Sequence, residues 1–230
     1  MTAPSLNADL RRRAVVEAAA LDWQPSPSPT VWRKRLYLDG PKEAGRVTSI
    51  VRYDAGSAFP SHSHPDGEEI LVLDGIFSDE HGDYPAGTYL LNPDGTSHAP
   101  SSADGCILFV KLRQYAGAGR AQLRMNTNAL QWQPRGRPGV WHKPLYRQGG
   151  YRGEWTALLR FDAGAETPYH AHPEGEEMYV IEGSVEDEDG VYPAGTWLRS
   201  PPGSEHRLSS PDGATVYLRF GGIEIAEAAS

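Results

Sequence analysis

The fold of this chain is decided by two stretches of sequence that repeat one another. Residues 54–98 read DAGSAFPSHSHPDGEEILVLDGIFSDEHGDYPAGTYLLNPDGTSH, and residues 162–206 read DAGAETPYHAHPEGEEMYVIEGSVEDEDGVYPAGTWLRSPPGSEH. Matching residues such as His62 and His170 are separated by 108 positions. Further towards the N-terminus the separation is 109, so the length change falls within residues 38–53. The repeat is therefore a whole domain, much longer than the short unit of a solenoid.

The size and composition of the chain fit two ordinary globular domains. It has 230 residues, of which 39% are hydrophobic and 23% charged. Small, flexible residues in the stretch 115–119 mark a boundary between the repeats. We therefore predict an N-terminal segment over residues 1–20, a first domain over 21–118 and a second over 119–230.

The local pattern predicts an all-β fold with one exception. Short runs of strand composition, such as 47–53 and 107–112, alternate with Gly, Pro and Asp clusters that favour turns. Many short strands of this kind are typical of a β-barrel or jelly roll. In the N-terminal segment, Asn7 could cap a short helix over about residues 8–20, so a helix is predicted there.

Histidines and glutamates in the repeats form a pattern typical of metal ligands. In a strand, residues i and i+2 point to the same face, so His62 and His64 can direct both imidazoles into one cavity. The turn sequence that follows them would bring Glu68 back towards them, and His98 arrives from a distant strand. The second repeat has the same residue types at the same spacing: His170, His172, Glu176 and His206.

The ligand set does not determine which metal ion binds or which glutamate of each doublet is the ligand. Three imidazoles and one carboxylate suit Fe(II), Zn(II), Mn(II), Ni(II), Co(II) or Cu(II), and we predict one divalent ion per domain. Each glutamate belongs to a doublet, Glu68-Glu69 or Glu176-Glu177, and strand alternation alone does not choose between the members. His81 and His142 lie outside the two sets and are interpreted as ordinary polar residues.

These motifs resemble those of the cupin superfamily. The first cupin motif, Gly-x5-His-x-His-x3–4-Glu-x6-Gly, is similar to the run from Gly56 to Gly75 and again to the run from Gly164 to Gly183. The second, Gly-x5-Pro-x-Gly-x2-His, ends at His98 and at His206. The resemblance implies two tandem cupin jelly-roll barrels. It also favours Glu68 and Glu176 as the ligands and implies coordination positions left open on each metal.

Within that superfamily, two groups are similar in different ways. The run EEILVLDGIFSDEHGDYPAGTYLLNP resembles the cupin half of zinc-dependent anti-sigma factors. Those factors also carry helical zinc ligands, which have no counterpart before His62 and Cys106. Other similar cupins are dioxygenases that cleave diketones, hydroxyacetophenones and flavonols. We therefore expect a metal-dependent dioxygenase acting on a small oxygen-rich molecule, with a non-enzymatic metal or ligand sensor, or a metal-dependent isomerase or lyase, as alternatives.

Charged pairs that recur in the repeats are candidates for holding an anionic substrate. Arg52 matches Arg160, and Lys111 matches Arg219. The competing interpretation places these side chains on outer strand faces.

Bulk properties exclude several partners and compartments. The net charge of −8 argues against nucleic acid or an anionic membrane as the main partner, which leaves small molecules. With Cys106 as its single cysteine, the chain has no intrachain disulfide, which is typical of the cytoplasm. No apolar run is long enough to cross a bilayer, and Glu17 interrupts the one that a secretory signal would need. We expect a monomer whose halves pair as an internal pseudo-dimer, or a homodimer.

Overall fold

The computed structural model describes residues 5–149 and 153–223 and confirms the all-β prediction. The chain divides into two compact units. Among the described residues, the first unit comprises 5–8 and 20–130, and the second comprises 9–19 and 131–223. None of the helical segments described is long or apolar enough to cross a membrane.

The strands are short, as the frequent turn residues predict. In chain order, the first twelve are β1 (Ala14–Glu17), β2 (Gln24–Pro25), β3 (Val31–Asp39), β4 (Arg46–Tyr53), β5 (Ser57–Ala58), β6 (His62–Ser63), β7 (Glu68–Asp79), β8 (Gly82–Pro85), β9 (Thr88–Asn92), β10 (Ser97–His98), β11 (Ser101–Ser102) and β12 (Cys106–Leu112). The next twelve are β13 (Leu123–Asn126), β14 (Gln133–Pro134), β15 (Val140–Gln148), β16 (Glu154–Phe161), β17 (Ala165–Glu166), β18 (His170–His172), β19 (Glu176–Asp187), β20 (Gly190–Pro193), β21 (Thr196–Ser200), β22 (Ser204–His206), β23 (Ser209–Ser210) and β24 (Ala214–Phe220). Two 3-10 turns, Ala18–Ala20 and Thr127–Ala129, are the helical segments among the described residues.

Both units have the same sheet order. In the first unit the main sheet runs β13-β9-β7-β12-β4-β3-β2, and β6 pairs with β10 in a separate ribbon. In the second it runs β1-β21-β19-β24-β16-β15-β14, and β18 pairs with β22. The ribbon in each unit carries histidines, and the long strand β7 or β19 begins at the glutamate. The two elements that carry the predicted ligands are therefore built in the same way twice.

The edge strands show that the repeats exchange a segment. Strand β1 precedes the first repeat in sequence but pairs with β21 of the second unit, where Ala14 lies opposite Arg199. Strand β13 precedes the second repeat but pairs with β9 of the first unit, where Leu123 lies opposite Leu91. Ala14 and Leu123 are equivalent positions, 109 residues apart. Each unit is thus completed by a strand from the segment that leads into the other repeat.

The prediction of an N-terminal helix is wrong. Residues 14–17 form strand β1, and only Ala18–Ala20 turn, as a single 3-10 segment. Asn7 has a positive φ of 52° and its side-chain amide donates to the carbonyl of Leu36 at 2.7 Å, so it does not cap a helix. The ladder with β21 overrides the helix propensity of the alanines, because tertiary pairing outweighs a propensity of a few tenths of a kcal/mol per residue.

The core of each unit continues the face that carries the glutamate. Glu68 begins β7, and Ile70 and Val72 follow it at intervals of two and lie in the apolar core of the first unit. Met178 and Val180 follow Glu176 in the same way. Since strand residues alternate between faces, the core fixes which member of each doublet points inward with the apolar side chains.

A glycine of the first motif permits a close approach of two strands. Gly75 has a φ of +72°, and a Cβ placed on it would lie 2.2 Å from the carbonyl oxygen of Gly105. Gly183 is equivalent, with the corresponding distance at 2.0 Å from Gly213. A side chain at either position would combine a strained backbone with a steric clash.

Candidate metal centres

Four side chains of the first unit converge at the end of its barrel. His62, His64, Glu68 and His98 each offer one ligand atom, and these atoms all lie within 4.8 Å of one another. The Nε2 atoms of His64 and His98 lie 3.4 and 3.5 Å from Glu68 Oε2. The cluster joins the β6–β10 ribbon, in which His62 pairs with His98, to the first residue of β7.

Hydrogen bonds on the far side of each imidazole fix its orientation. His62 Nδ1 lies 3.0 Å from the carbonyl of Pro60, and His64 Nδ1 lies 3.0 Å from the hydroxyl of Thr96. His98 Nδ1 lies 3.4 Å from Asp79 Oδ2. With Nδ1 engaged in all three rings, Nε2 is directed towards the glutamate, which is the arrangement that metal-binding histidines usually have.

Glu68 is itself held by a buried amide. Asn92 Nδ2 donates to Glu68 Oε2 at 3.0 Å, and the Asn92 carbonyl accepts from Gln122 at 3.2 Å. Glu69, the other member of the doublet, accepts a hydrogen bond from the hydroxyl of Tyr115. The two carboxylates of the doublet therefore have different surroundings, and Glu68 is the one that lies among the histidines.

The second unit repeats the cluster with His170, His172, Glu176 and His206, whose ligand atoms also lie within 4.8 Å of one another. His170 Nδ1 lies 2.8 Å from the carbonyl of Pro168, and His206 Nδ1 lies 3.6 Å from Asp187 Oδ2. Glu177, the second member of this doublet, accepts from the indole of Trp197 at 2.7 Å.

The exchanged segment contributes to the surroundings of this second cluster. Arg13 donates to Asp187 at 2.5 Å and to the hydroxyl of Tyr192 at 2.8 Å, and it also pairs with Asp189. Burial raises the pKa of Asp187, but the hydrogen bonds from Tyr192, Asp189 and Arg13 outweigh it and hold the pKa below its usual value. Asp187 is therefore a carboxylate that is anchored on one side and faces His206 on the other.

His172 is turned differently from its counterpart. Its Nδ1 lies 3.4 Å from Glu176 Oε2, whereas in the first unit it is Nε2 of His64 that faces the glutamate. Neither ring nitrogen of His172 has a hydrogen bond among the described residues, and neither does the hydroxyl of Ser204, its ladder partner.

Electrostatics keep the buried imidazoles neutral. Burial, followed by repulsion from the neighbouring imidazoles, lowers the pKa of His172 to about 3. Burial, followed by repulsion from His62, lowers the pKa of His64 to about 4. Burial also lowers the pKa values of His98 and His206. Neutral imidazole is the form that binds a metal.

The polar atoms left without partners fit a bound cation. Among the described residues, His64 Nε2, His206 Nε2, both ring nitrogens of His172 and Glu176 Oε2 are buried and make no hydrogen bond. An unsatisfied buried polar group costs about 1–3 kcal/mol, so a cluster of them at one point is unfavourable unless something binds there. In each cluster a carboxylate oxygen and one nitrogen of each neutral imidazole can donate an electron pair, and such a set fits a divalent cation.

The two clusters open onto cavities of different size. In the second unit, His170 and Glu176 line a cavity of about 510 Å³ whose walls include Arg135, His142 and Phe220. In the first unit, the cluster borders a cavity of about 190 Å³. A volume of about 300–1,000 Å³ is usual for a small-molecule site, so only the larger cavity has that size.

The repeated cationic pairs do not line these cavities. Arg52 lies over the rings of Trp23 and Trp32, and Arg160 lies over those of Trp132 and Trp141. Arg219 pairs with Glu154 at 3.2 Å.

Sequence reasoning missed four residues around the centres: Asp79, Asp187, Arg135 and His142. The two aspartates recur at a spacing of 108, which was a usable signal. His142 was interpreted as an ordinary polar residue, yet it lines the larger cavity. No motif points to Arg135 or His142, because neither has a counterpart of the same type in the first repeat.

The fold and the two centres define the class of protein. Two jelly-roll units in one chain, each with a three-histidine, one-glutamate cluster at the barrel end, make this chain a bicupin. The family model for the ChrR cupin-like domain matches it twice, over residues 11–116 and 120–224. The chain therefore belongs to the ChrR cupin-like family, which confirms the predicted tandem cupin domains. No curated protein matches the sequence.

Solved structures share the fold at low sequence identity. A candidate dioxygenase from Nostoc punctiforme superposes with a TM-score of 0.77 at 15% identity, over 94% of this chain and 85% of that one. The nickel(II) complex of the pirin YhhW from Escherichia coli gives 0.69 at 12% identity, over 91% and 99%. Oxalate decarboxylase from Bacillus subtilis, which has Mn(II) centres, gives 0.63 at 12% identity, over 93% and 78%. At these identities the likeness establishes the fold alone.

Proposed function

We propose that this protein is a metal-dependent dioxygenase that acts on a small, oxygen-rich organic molecule such as a diketone or hydroxyketone. The ligands are His62, His64, Glu68 and His98 in the first unit, and His170, His172, Glu176 and His206 in the second. The observation that carries the proposal is the cavity of about 510 Å³ beside the second cluster. A purely structural metal site is normally closed by its ligands, whereas this one is bordered by space for a substrate.

The residues of the second unit supply binding and shielding. A divalent ion held by the four ligands would act as a Lewis acid and as a template for substrate oxygens. The apolar walls, which include Val140, Leu159 and Leu218, exclude water from that side of the cluster. His170 is the partly exposed member of the cluster and lines the cavity, so the substrate approaches from its side.

The chemistry proposed needs no further co-reactant. A β-diketone that takes up one O₂ at its central carbon and one carbonyl carbon can break the bond between them and give a carboxylic acid and an α-ketoaldehyde. Both oxygen atoms enter the products, and the electrons that reduce O₂ come from the substrate. The single cysteine, Cys106, is free and buried, which supports our placing the protein in the cytoplasm.

Oxygen uptake by metal-loaded protein tests the proposal. The protein is stripped with a chelator and loaded separately with Fe(II), Mn(II), Co(II), Ni(II) and Zn(II). Each form is then mixed with diketones and hydroxyketones in an oxygen electrode. We expect one O₂ consumed per substrate with at least one redox-active ion, and loss of that uptake in His206→Ala. Substrate consumed without oxygen would indicate an isomerase or lyase, and tight zinc with no turnover would indicate a sensor; either result contradicts the proposal.

A further inference from the structure

We propose that the cavity of the second unit selects substrates that carry a carboxylate, that Arg135 binds this carboxylate, and that the substrate is therefore a β-dicarbonyl acid or a similar keto acid. This inference rests on the proposed function, and it narrows the substrate to an anion with a small apolar body. It also assigns substrate binding to one of the two units.

Arg135 is placed to receive an anion beside the metal cluster. It lies immediately after β14 and lines the same cavity as His170 and Glu176. Its guanidinium carbon lies 4.1 Å from the centre of the Trp155 ring, and Nη1 lies 3.2 Å from His142 Nδ1. The ring and the imidazole fix the guanidinium without neutralising it, and a planar fork of N–H groups fits a carboxylate.

No carboxylate among the described residues forms an ion pair with Arg135. The other titratable groups that line the cavity are Arg137, His142, His170 and Glu176, and of these Glu176 is the one acid. Burial lowers the pKa of Arg135, and attraction to Glu176 opposes that shift. An arginine side chain is charged at neutral pH. When Glu176 serves as a metal ligand, its negative charge is balanced by the metal ion. The guanidinium of Arg135 then remains available to bind an anionic substrate.

An aromatic stack connects Arg135 to the metal cluster. Trp155 stacks on Phe220 with ring centres 5.2 Å apart, and Phe220 stacks on His172 at 5.4 Å. Of these rings Phe220 lines the cavity, so the surface between the guanidinium and the cluster includes a flat apolar ring. A substrate that lies along it would place its carboxylate at Arg135 and its carbonyl oxygens towards the cluster.

The first unit lacks this arrangement at the equivalent positions. Trp155 and Phe220 correspond to Val47 and Leu112, and Arg135 corresponds to Ser26. Its smaller cavity is lined by the basic residues Arg33, Lys42 and Arg113 and by the acid Glu43, which pairs with Arg33 at 2.8 Å and with Arg35 at 3.1 Å. The ligand types are the same in both units, so we assign substrate selection to the second unit from its larger cavity and from Arg135, whose guanidinium lies over an aromatic ring.

Binding of matched acid and neutral probes tests the inference. Acetopyruvate, a β-diketo acid, and acetylacetone, a neutral β-diketone, are titrated calorimetrically into zinc-loaded protein. The His98→Ala background disables the first centre, and zinc prevents turnover. We expect acetopyruvate to bind at least about ten-fold more tightly than acetylacetone, because a hydrogen bond to a charged group contributes about 1.5–3 kcal/mol. Arg135→Gln should weaken acetopyruvate about 10- to 100-fold and leave acetylacetone unchanged.

Two further variants separate this effect from misfolding and from general charge. Arg160→Gln removes another arginine of the same unit that lies over tryptophan rings, 5.0 Å from the centre of Trp132. It does not line the cavity, and it should leave both affinities as they are. Arg135→Lys keeps the positive charge but loses the planar set of N–H donors, so it should retain part of the preference for acetopyruvate over acetylacetone. Thermal unfolding and zinc content establish that each variant is folded.

Equal affinity for the two probes in the otherwise unchanged protein overturns the inference, as does a preference for the acid that survives Arg135→Gln. Failure of the proposed function is a separate result, since it is read from oxygen uptake. If the protein prefers the acid through Arg135 but consumes no oxygen with any metal, the dioxygenase proposal is refuted. The assignment of Arg135 as the carboxylate-binding residue still holds in that case.

Discussion

The two candidate metal centres differ by one buried amide. Asn92 donates to Glu68 at 3.0 Å, whereas its equivalent in the second unit is Ser200. No hydrogen bond to Glu176 Oε2 is formed by any of the described residues. We therefore expect Asn92→Ser to weaken metal binding by the first unit and Ser200→Asn to strengthen it in the second.

The magnitude follows from the type of bond removed. The bond is buried, its acceptor is a carboxylate, and Asn92 is only 4% exposed. A hydrogen bond to a charged group contributes about 1.5–3 kcal/mol. At 1.4 kcal/mol per decade, its loss corresponds to a fall of about 10- to 100-fold in affinity. The same range is typical for partners of metal ligands that do not touch the metal.

The assay isolates one centre at a time. Zinc is titrated into Asn92→Ser in a His206→Ala background, and into Ser200→Asn in a His98→Ala background, with a chelator setting the free zinc. The single His→Ala proteins are the references. An unchanged zinc affinity in Asn92→Ser, with thermal unfolding near that of its reference, would refute the reasoning.

Three further predictions concern single side chains. Asp187→Asn should lower the zinc affinity of the second centre by about ten-fold or more, because it removes the anion that faces His206; zinc competition in a His98→Ala background measures this, and unchanged affinity contradicts it. Burial raises the pKa of Cys106 to about 11, so at pH 8 the thiol should stay protonated and react with Ellman's reagent only after denaturation; rapid labelling of native protein would refute this. Gly56→Ala, at a φ of +75° in open space, should lower the free energy of unfolding in urea by about 1–2 kcal/mol. Gly75→Ala, whose Cβ would lie 2.2 Å from a carbonyl oxygen, should lower it by about 1–3 kcal/mol more. Equal losses for the two variants would contradict the clash.

The two clusters of candidate metal ligands could be predicted from sequence because metal coordination restricts both residue type and spacing. An imidazole pair at i and i+2 has a simple meaning in a strand, and its repetition 108 residues later makes chance an unlikely explanation. The choice between Glu68 and Glu69 could not be made this way. It depends on which strand face carries the core, and both faces of β7 are apolar at its start, with Ile70 and Leu71 each 2% exposed.

The N-terminal segment shows where local reasoning fails. Residues 14–20 are rich in alanine, which favours a helix, and nothing in that stretch indicates a partner strand nearly two hundred residues away. Pairing with β21 is a long-range interaction that the repeat pattern does not reveal. The same limit applies to β13, since sequence periodicity identifies equivalent segments but does not say which unit each one joins.

The two repeats have the same ligand types but differ in other residues, as we expect if the two units have different roles. Both clusters keep three histidines and a glutamate, as a requirement to bind a metal ion would impose. The residues around the clusters are free of that constraint, and there Val47 and Leu112 of the first unit correspond to Trp155 and Phe220 of the second. Two aromatic rings in place of two aliphatic side chains offer a flat surface on which a guanidinium can stack. A guanidinium held in this way can bind an anion without an acidic partner beside it. Under this reasoning, the specificity of this protein is to be sought first in Arg135, Trp155 and Phe220, because the ligand types are the same in both units although the cavities have volumes of about 190 and about 510 Å³.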